Sequence, residues 1–164
     1  MGVFYLLQGD IKLANKSFGR AQQSDTTFLN AWIGQAYIAE IIGEKDEAMD
    51  LFRHCTQLGF HTDSALGYAN FVCSVLNVKD YEKDAKYAYA IDKMHAKTQA
   101  LDSIDWCYSA EIENSRFEAL SYLGYLSASE GLVKKAVVAF EMAVQKCDDD
   151  LKRYVWLRSE LICE

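Results

Sequence analysis

The chain has 164 residues, 51% hydrophobic and 25% charged, which is enough apolar material for the core of one domain. Its formal net charge of −7, with no run of more than two basic residues, argues against direct binding to nucleic acid or an acidic membrane. The five cysteines are widely spaced without a CxxC pair, so neither a disulfide framework nor a zinc module is predicted. The N-terminus lacks the basic region of a signal peptide, and we expect a soluble cytoplasmic protein that could also enter the nucleus.

Apolar residues recur at intervals of three and four along nearly the whole chain, which predicts α-helices and no strands. Short polar segments separate the predicted helices and carry the Gly, Asp, Ser and Thr that begin and end helices. In chain order these turns are Gly9–Asp10, Ser24–Thr27, Gly43–Asp46, Gly59–Asp63, Val78–Asp80, Gly131 and Asp148–Asp150. Helices joined by such short links pack antiparallel to their neighbours.

A motif of small and aromatic residues repeats along the chain. It is Ala14-x3-Phe18-x2-Ala21, which returns 34 residues later as Ala48-x3-Phe52-x2-Cys55 and once more as Ala136-x3-Phe140-x2-Ala143. A period of 34 with these residue types is the tetratricopeptide-repeat pattern, in which a small residue lets two helices approach and a large ring fills the space opposite. The predicted core residues are Gly2, Tyr5, Ala14, Phe18, Ala21, Trp32, Ala36, Ala48, Phe52, Leu123, Gly124, Ala136, Phe140 and Ala143.

These features predict an all-α fold, a right-handed α-solenoid of antiparallel tetratricopeptide-type helix hairpins. The third hairpin is irregular, because its motif Ala85-x3-Tyr89 is out of phase and the interval from Ala48 to Ala136 is 20 residues longer than two repeats. We interpret the extra residues as a continuation of a long second helix, Tyr81 onward, plus a short added helix. The single domain 1–164 would then comprise a partial repeat at 1–28, repeats at 29–62 and 63–96, an insert at 97–115, a repeat at 116–148 and a partial repeat at 149–164. Both ends are expected to continue into a longer array.

The first helix of each hairpin in such a solenoid lines a concave groove that suits an extended peptide or a partner helix. The groove-facing candidates by helical phase are Asn30, Ile33, Tyr37, Glu40, Glu118, Ser121 and Tyr125. Trp106, in the predicted insert, either contacts a partner or pins the insert to the solenoid. The alternative for all these positions is an ordinary solvated surface. Glu40 and Glu118 argue against a groove that captures a C-terminal carboxylate, as cochaperones do.

No combination of residues predicts catalysis. His54, His61 and His95 share no metal-ligand spacing with the cysteines. His54 and Cys55 are adjacent on a predicted helix, so their side chains point apart and cannot form a nucleophile and its base. The run Asp148–Asp150 precedes a predicted helix and is interpreted as its cap. The sequence therefore predicts a protein that is not an enzyme and has no metal or cofactor.

Three segments, residues 9–43, 48–54 and 65–76, resemble the large tetratricopeptide-repeat subunits of superkiller (Ski) complexes. The specific part of the resemblance lies in Asp10–Lys16, Ala21–Asp25 and Leu29–Gly34, which fall outside the repeat motif. It is strongest over the first half of the chain, and the second half matches mainly at Leu123–Tyr125 and around Ala136.

This resemblance implies a protein–protein interaction scaffold that carries a DExH-type RNA helicase and WD-repeat subunits. The assembly would feed mRNA to the cytoplasmic RNA exosome for 3′–5′ decay, and the RNA chemistry would belong to the partners. The chain itself would then bind proteins and neither nucleic acid nor membrane. The alternative is a peptide-binding adaptor of another tetratricopeptide family, such as a cochaperone or a trafficking adaptor.

Overall fold

The computed structural model describes residues 1–110 and 117–146, with the side chains of 108–110 left aside. Within these ranges the chain is helical and contains no strand, so the predicted all-α fold is confirmed. The predicted partial repeat at 149–164, the Asp148–Asp150 cap and residues 111–115 of the predicted insert lie outside the described residues.

The described residues form a succession of helices joined by short turns. The α-helices are α1 (Gly2–Leu7), α2 (Ile11–Ser24), α3 (Leu29–Ile42), α4 (Lys45–Leu58), α5 (Thr62–Leu76), α6 (Ala85–Ala88), α7 (Ala96–Ala110), α8 (Phe117–Ser129) and α9 (Val133–Lys146). A 3-10 turn, Tyr81–Lys83, precedes α6, and a π-helix, Tyr89–Lys93, follows it.

The helices group into two compact units, which are described separately. The first unit, Met1–Tyr68, packs α1 on α2, α2 on α3 and α3 on α4. The second unit begins at Ala69 and packs α7 on α8 and α8 on α9. In both units, consecutive helices joined by short turns pack against each other, as helix hairpins do.

The turns that close three hairpins depend on glycine. Gly9, Gly43 and Gly131 have φ angles of 77°, 87° and 77°, the left-handed region that glycine adopts without a steric penalty. After α3, the amide of Gly43 donates to the carbonyl of Glu40 at 3.1 Å, and the next amide donates to that of Ala39 at 2.9 Å. These bonds satisfy carbonyls at the end of the helix, so the chain can reverse within two or three residues.

In the first unit, phenylalanine rings of one helix pack against glycines of neighbouring helices. Each ring occupies the space that a β-carbon would take at the glycine position. A Cβ on Gly34 of α3 would lie 2.3 Å from Cζ of Phe18, and one on Gly2 of α1 would lie 2.6 Å from its Cε1. Phe52 of α4 fills the same kind of space beside Gly67 of α5, where a Cβ would approach within 2.6 Å. Since both rings are almost completely buried, the helix backbones can approach only because these positions are glycine.

The second unit repeats this packing between α8 and α9. Phe140 of α9 is 2% exposed, and a Cβ on Gly124 of α8 would lie 2.9 Å from its ring. Around it is an apolar cluster whose buried members are Leu120, Ala136, Phe140 and Ala143.

The third hairpin differs from its prediction. Residues 81–94 do not form one helix that continues through the predicted insert; the 3-10 turn, α6 and the π-helix follow one another, and the chain then breaks at His95. His95 has a φ of 51°, a left-handed conformation that no α-helix can pass through. The predicted motif pair is also exposed, with Tyr89 60% accessible and Ala85 on the surface. The prediction of a continuous helix is therefore wrong.

α7 takes the place of that predicted second helix. It begins at Ala96, and its residues Ala100, Ile104 and Cys107 are 0%, 0% and 5% exposed. Their spacing is that of the repeated motif, with isoleucine where the other copies have phenylalanine. Most of what the sequence suggested to be an insert is thus a core-forming helix. This copy of the motif was not recognised in the sequence because it has no aromatic residue. The small residues Ala100 and Cys107, at the first and last motif positions, could have revealed it.

We expect Gly34→Ala to destabilise the chain by about 1–3 kcal/mol, because the new methyl group overlaps the buried Phe18 ring. Gly19→Ala is the matched control: it is also inside a helix, a Cβ there meets nothing within 4 Å, and alanine should stabilise by roughly 0.5–1 kcal/mol. Urea denaturation followed by circular dichroism measures both. Equal stabilities for the two variants would contradict this account of the packing.

Candidate partner-binding surface

The groove candidates of the first unit are not equally accessible. Asn30 and Glu40 are exposed on α3, whereas Tyr37 is half-buried with its ring edge-to-face on Phe52, 5.6 Å between centroids. Ile33 is only 5% exposed and belongs to the core, so its predicted place on an open groove is wrong. The reason is that α3 packs against both α2 and α4, which leaves only a narrow strip of the helix open.

Trp32 contacts His54 of the next helix, which gives both residues a structural role. Its indole Nε1 donates to the carbonyl of Thr26 at 2.8 Å, which ties α3 to the turn before it. Its ring also meets His54 of α4 edge-to-face, with 4.7 Å between centroids. Cys55 is fully buried on another side of the same helix, so the two neighbours do not form a catalytic pair.

In the second unit, two tyrosine–asparagine pairs form a surface between α5 and α8. Tyr125 Oη donates to Asn77 Oδ1 at 3.0 Å, and Tyr122 Oη donates to Asn70 Oδ1 at 3.0 Å. Asn70 and Asn77 are seven residues apart, two helical turns, and therefore share a face at the end of α5. We call these four residues the α5–α8 polar surface. Carboxamide and phenol groups both donate and accept hydrogen bonds, which suits recognition of peptide groups or polar side chains.

Of the predicted residues on α8, Tyr125 belongs to this surface, Glu118 is exposed, and Ser121 is half-buried, with its hydroxyl donating to the carbonyl of Phe117 at 2.9 Å. The sequence analysis missed Asn70, Asn77 and Tyr122. The available signal was the pair of asparagines seven positions apart, one in α5 and one directly after it.

Trp106, the remaining candidate, is 38% exposed on α7. The residue before it, Asp105, forms an ion pair with Lys135 of α9 at 2.8 Å, and Lys97 forms another, at 3.2 Å, with Glu130, the residue that follows α8. These partly exposed pairs fix how α7 lies along α8 and α9, although each contributes only about 0–1 kcal/mol. Trp106 lies beside these ion pairs, and more than a third of its surface is accessible to solvent.

The described residues hold no group of three His, Cys, Asp or Glu side chains that could bind a metal ion. Cys55, Cys73 and Cys107 are buried, and burial raises the pKa of the Cys55 thiol to about 12, so it stays protonated at neutral pH. No described helix is long and apolar enough to cross a membrane.

The chain is similar in sequence to three known proteins. No protein-family model matches the chain. Tetratricopeptide repeat protein 37 of Xenopus laevis is 40% identical over 144 residues, 88% of this chain. Superkiller complex protein 3 of Mus musculus is 41% identical over 143 residues, and that of Homo sapiens 41% over 142 residues, each 87% of this chain. The chain is a tetratricopeptide-repeat protein.

The resemblance to the superkiller subunits, suggested by the sequence, is confirmed over most of the chain. The chain spans 9% of the length of these relatives. Among solved structures, a thermophilic TPR protein of Thermus thermophilus matches with a TM-score of 0.43 and 16% identity, covering 99% of this chain and 95% of that one.

The hydrogen bond between Tyr125 and Asn77 should be measurable as a coupling energy. In a double-mutant cycle of Tyr125→Phe and Asn77→Ala, we expect a coupling of about 0.5–1.5 kcal/mol in the free energy of unfolding. The matched cycle of Tyr125→Phe with Asn70→Ala pairs residues that are not bonded to each other, and its coupling should be close to zero. A larger coupling in the second cycle would contradict the pairing.

Stability should fall at high pH because two buried groups are held neutral. Burial raises the pKa of Cys55 from 9.0 to about 12, and it raises the pKa of Tyr68 from 10.0 to about 12 against the opposing charge of Arg53. Their contribution is complete below the unfolded pKa values and is lost as the pH rises towards 12, because only the unfolded chain releases these protons. Urea denaturation at several pH values between 8 and 11 measures the slope.

Tyr68→Phe provides the control for that slope. The Tyr68 hydroxyl is buried without a hydrogen-bond partner, so the variant should be more stable at pH 8 by roughly 1 kcal/mol and should lose less stability between pH 10 and 11. An unchanged slope would mean that Tyr68 ionises normally in the folded chain.

Proposed function

We propose that this chain acts as a non-catalytic scaffold segment in a superkiller-type complex, which assists exosome-mediated 3′–5′ decay of mRNA. The observation that carries the proposal is the 41% identity to superkiller complex protein 3 over 87% of the chain. The match runs beyond the few motif positions that all tetratricopeptide repeats share, which supports a relationship to this subunit in particular.

The proposed partners are proteins: a DExH-type RNA helicase and WD-repeat subunits, with the RNA exosome reached through them. A net charge of −7 supports this division of labour, because a chain that gripped the phosphate backbone itself would need basic clusters. Delivery of mRNA to a cytoplasmic exosome also makes the cytoplasm the proposed location.

The packing supports a scaffold role in physical terms. Most of the small and aromatic motif residues are buried inside the hairpins. What remains outward is a set of helix faces on rigid hairpins, including Asn30 and Glu40 in the first unit and the α5–α8 polar surface in the second. Rigid elements lose little conformational entropy when a partner binds, which favours holding other proteins.

The alternative is a peptide-binding adaptor of another tetratricopeptide family, with a role in chaperone or membrane traffic. One observation favours it: the α5–α8 polar surface offers paired amide and phenol groups of the kind that bind a peptide main chain. The two functions differ in the size of the partner. A short peptide would displace the partner of an adaptor, whereas it would leave folded subunits of a complex in place.

The test is a purification of the tagged protein that carries this segment from cytosolic extract, with nuclease present. We expect a DExH helicase and WD-repeat subunits to be recovered by mass spectrometry, and their recovery to fall when residues 1–164 are removed. The double variant Glu40→Lys, Glu118→Lys should lower recovery roughly tenfold, because it reverses two exposed charges on groove-lining helices.

The matched control is Glu47→Lys, Glu141→Lys, which makes the same charge change at exposed positions on α4 and α9. Its recovery should stay at the wild-type level. Recovery of chaperones or membrane-traffic proteins in place of the helicase would overturn the superkiller assignment. Recovery of the helicase from the protein without residues 1–164, at full yield, would remove this segment from the scaffold function.

A further inference from the structure

Residues 78–95 form an insertion inside the third hairpin; we call them the inserted segment. The buried motif Ala100-x3-Ile104-x2-Cys107 marks α7 as the second helix of the third repeat, and α5 precedes it in the chain in the position of the first. The interval from Ala48 to Ala100 is 52 residues, 18 more than the 34 that separate Ala14 from Ala48. Elsewhere two residues suffice to join the helices of a hairpin, as between α3 and α4. Insertions in repeat arrays lie on one face, often the face that binds.

The inserted segment is anchored to its own unit and is not a loose loop. The ring of Tyr87 packs edge-to-face on Phe71 of α5 with 6.3 Å between centroids, and Ala90 and Ile91 are 6% and 4% exposed. The carboxylate of Asp84 caps α6 by accepting from the amides of the two residues that follow Ala85, at 2.9 and 3.4 Å. A docking element needs such a fixed conformation, because ordering on binding would weaken the affinity.

Its backbone is unusual at both ends and in the middle. Asp80 and His95 have φ angles of 62° and 51°, in the left-handed region that Asp and His enter more readily than most other non-glycine residues. Between them runs the π-helix Tyr89–Lys93, a rare form that is frequently found at functional sites. The segment therefore has a conformation that differs from a regular hairpin turn.

The outward side of the inserted segment has the composition of a protein interface. Tyr89 is 60% exposed and Val78 is 50% exposed. Around them the segment carries four lysines and four acidic residues, a net charge of zero in a chain whose formal net charge is −7. An exposed aromatic ring within a rim of mixed charges matches the centre and edge of protein–protein contacts. Because the positive and negative charges of the segment cancel, it has no net attraction for the phosphates of a nucleic acid or for an acidic membrane.

We propose that the inserted segment is a docking element for a folded protein subunit and that the Tyr89 ring is its anchor. The partner supplies an apolar pocket with a rim of mixed charges, because an exposed ring needs a concave receptor to be buried. That this partner is a subunit of the same complex rests on the proposed function. The relatives named as superkiller complex proteins are by name members of an assembly.

The first experiment places a photo-crosslinker at Tyr89, by the substitution Tyr89→p-benzoylphenylalanine, in the complete protein purified with its complex. Irradiation should join Tyr89 to one subunit, identified by mass spectrometry. The control site is Val138, which is 53% exposed on the regular helix α9 and should give no such product. Absence of a crosslink at Tyr89 from a complex that is otherwise intact would overturn the docking role.

The second experiment measures recovery of that subunit by tagged variants. Tyr89→Ala should weaken its binding roughly tenfold or more, Tyr89→Phe should keep most of it, and Val138→Ala should leave it unchanged. Because Tyr89 is exposed, all three variants should fold, which thermal melting checks. Equal recovery by Tyr89→Ala, or an equal loss with Val138→Ala, would overturn the proposal.

These outcomes separate the inference from the function on which it rests. If the wild-type protein recovers no helicase or WD-repeat subunit, the proposed function fails. If it recovers them and every Tyr89 variant does so equally, the scaffold function stands and the inserted segment is not its docking element.

Discussion

The contact between a buried phenylalanine ring and a glycine on a facing helix is the constraint on which the rest of the structure depends. Phe18 against Gly34, Phe52 against Gly67 and Phe140 against Gly124 leave no room for a β-carbon. Each contact sets how closely two helix backbones approach, and the alanines around the ring fill the remaining space. The contacts of Phe18 and Phe52 join consecutive hairpins and that of Phe140 joins the two helices of one hairpin, so the same kind of contact serves both purposes.

This packing also decides which residues can serve a partner. A helix that contacts two neighbours keeps only a strip of its surface, so α3 shows Asn30 and Glu40 to solvent but buries Ile33. The tyrosine–asparagine pairs of the α5–α8 polar surface lie on such a strip in the second unit. Because the motif residues are buried, the choice of partner in a scaffold of this kind depends on surface residues that are not part of the repeat motif.

The third hairpin shows how the repeat tolerates change. Ile104 replaces phenylalanine at the ring position and remains fully buried, with Ala100 and Cys107 in the usual small positions. The extra residues are placed between the two helices of the hairpin, where they disturb neither buried face. A local insertion of this kind buries a few residues of its own, here Ala90 and Ile91, and adds new surface, so one hairpin gains a feature that the others lack.

The sequence by itself determined most of the helices, but not those of the third hairpin after α5, and it determined the turns at Gly9, Gly43 and Gly131 and most of the buried motif residues. These depend on helical periodicity and on contacts between helices adjacent in the chain. It also revealed the resemblance to the superkiller subunits, because that resemblance is carried by residue identities.

Only the tertiary structure decided that Ile33 is buried, that the chain breaks at His95 and that Tyr125 meets Asn77, 48 residues away. The physical reason is that helical phase gives the direction of a side chain but not the number of neighbouring helices that cover it. Likewise, the sequence does not show that Ile104 can take the place of the motif phenylalanine, because that depends on the space which the neighbouring helices leave for the side chain.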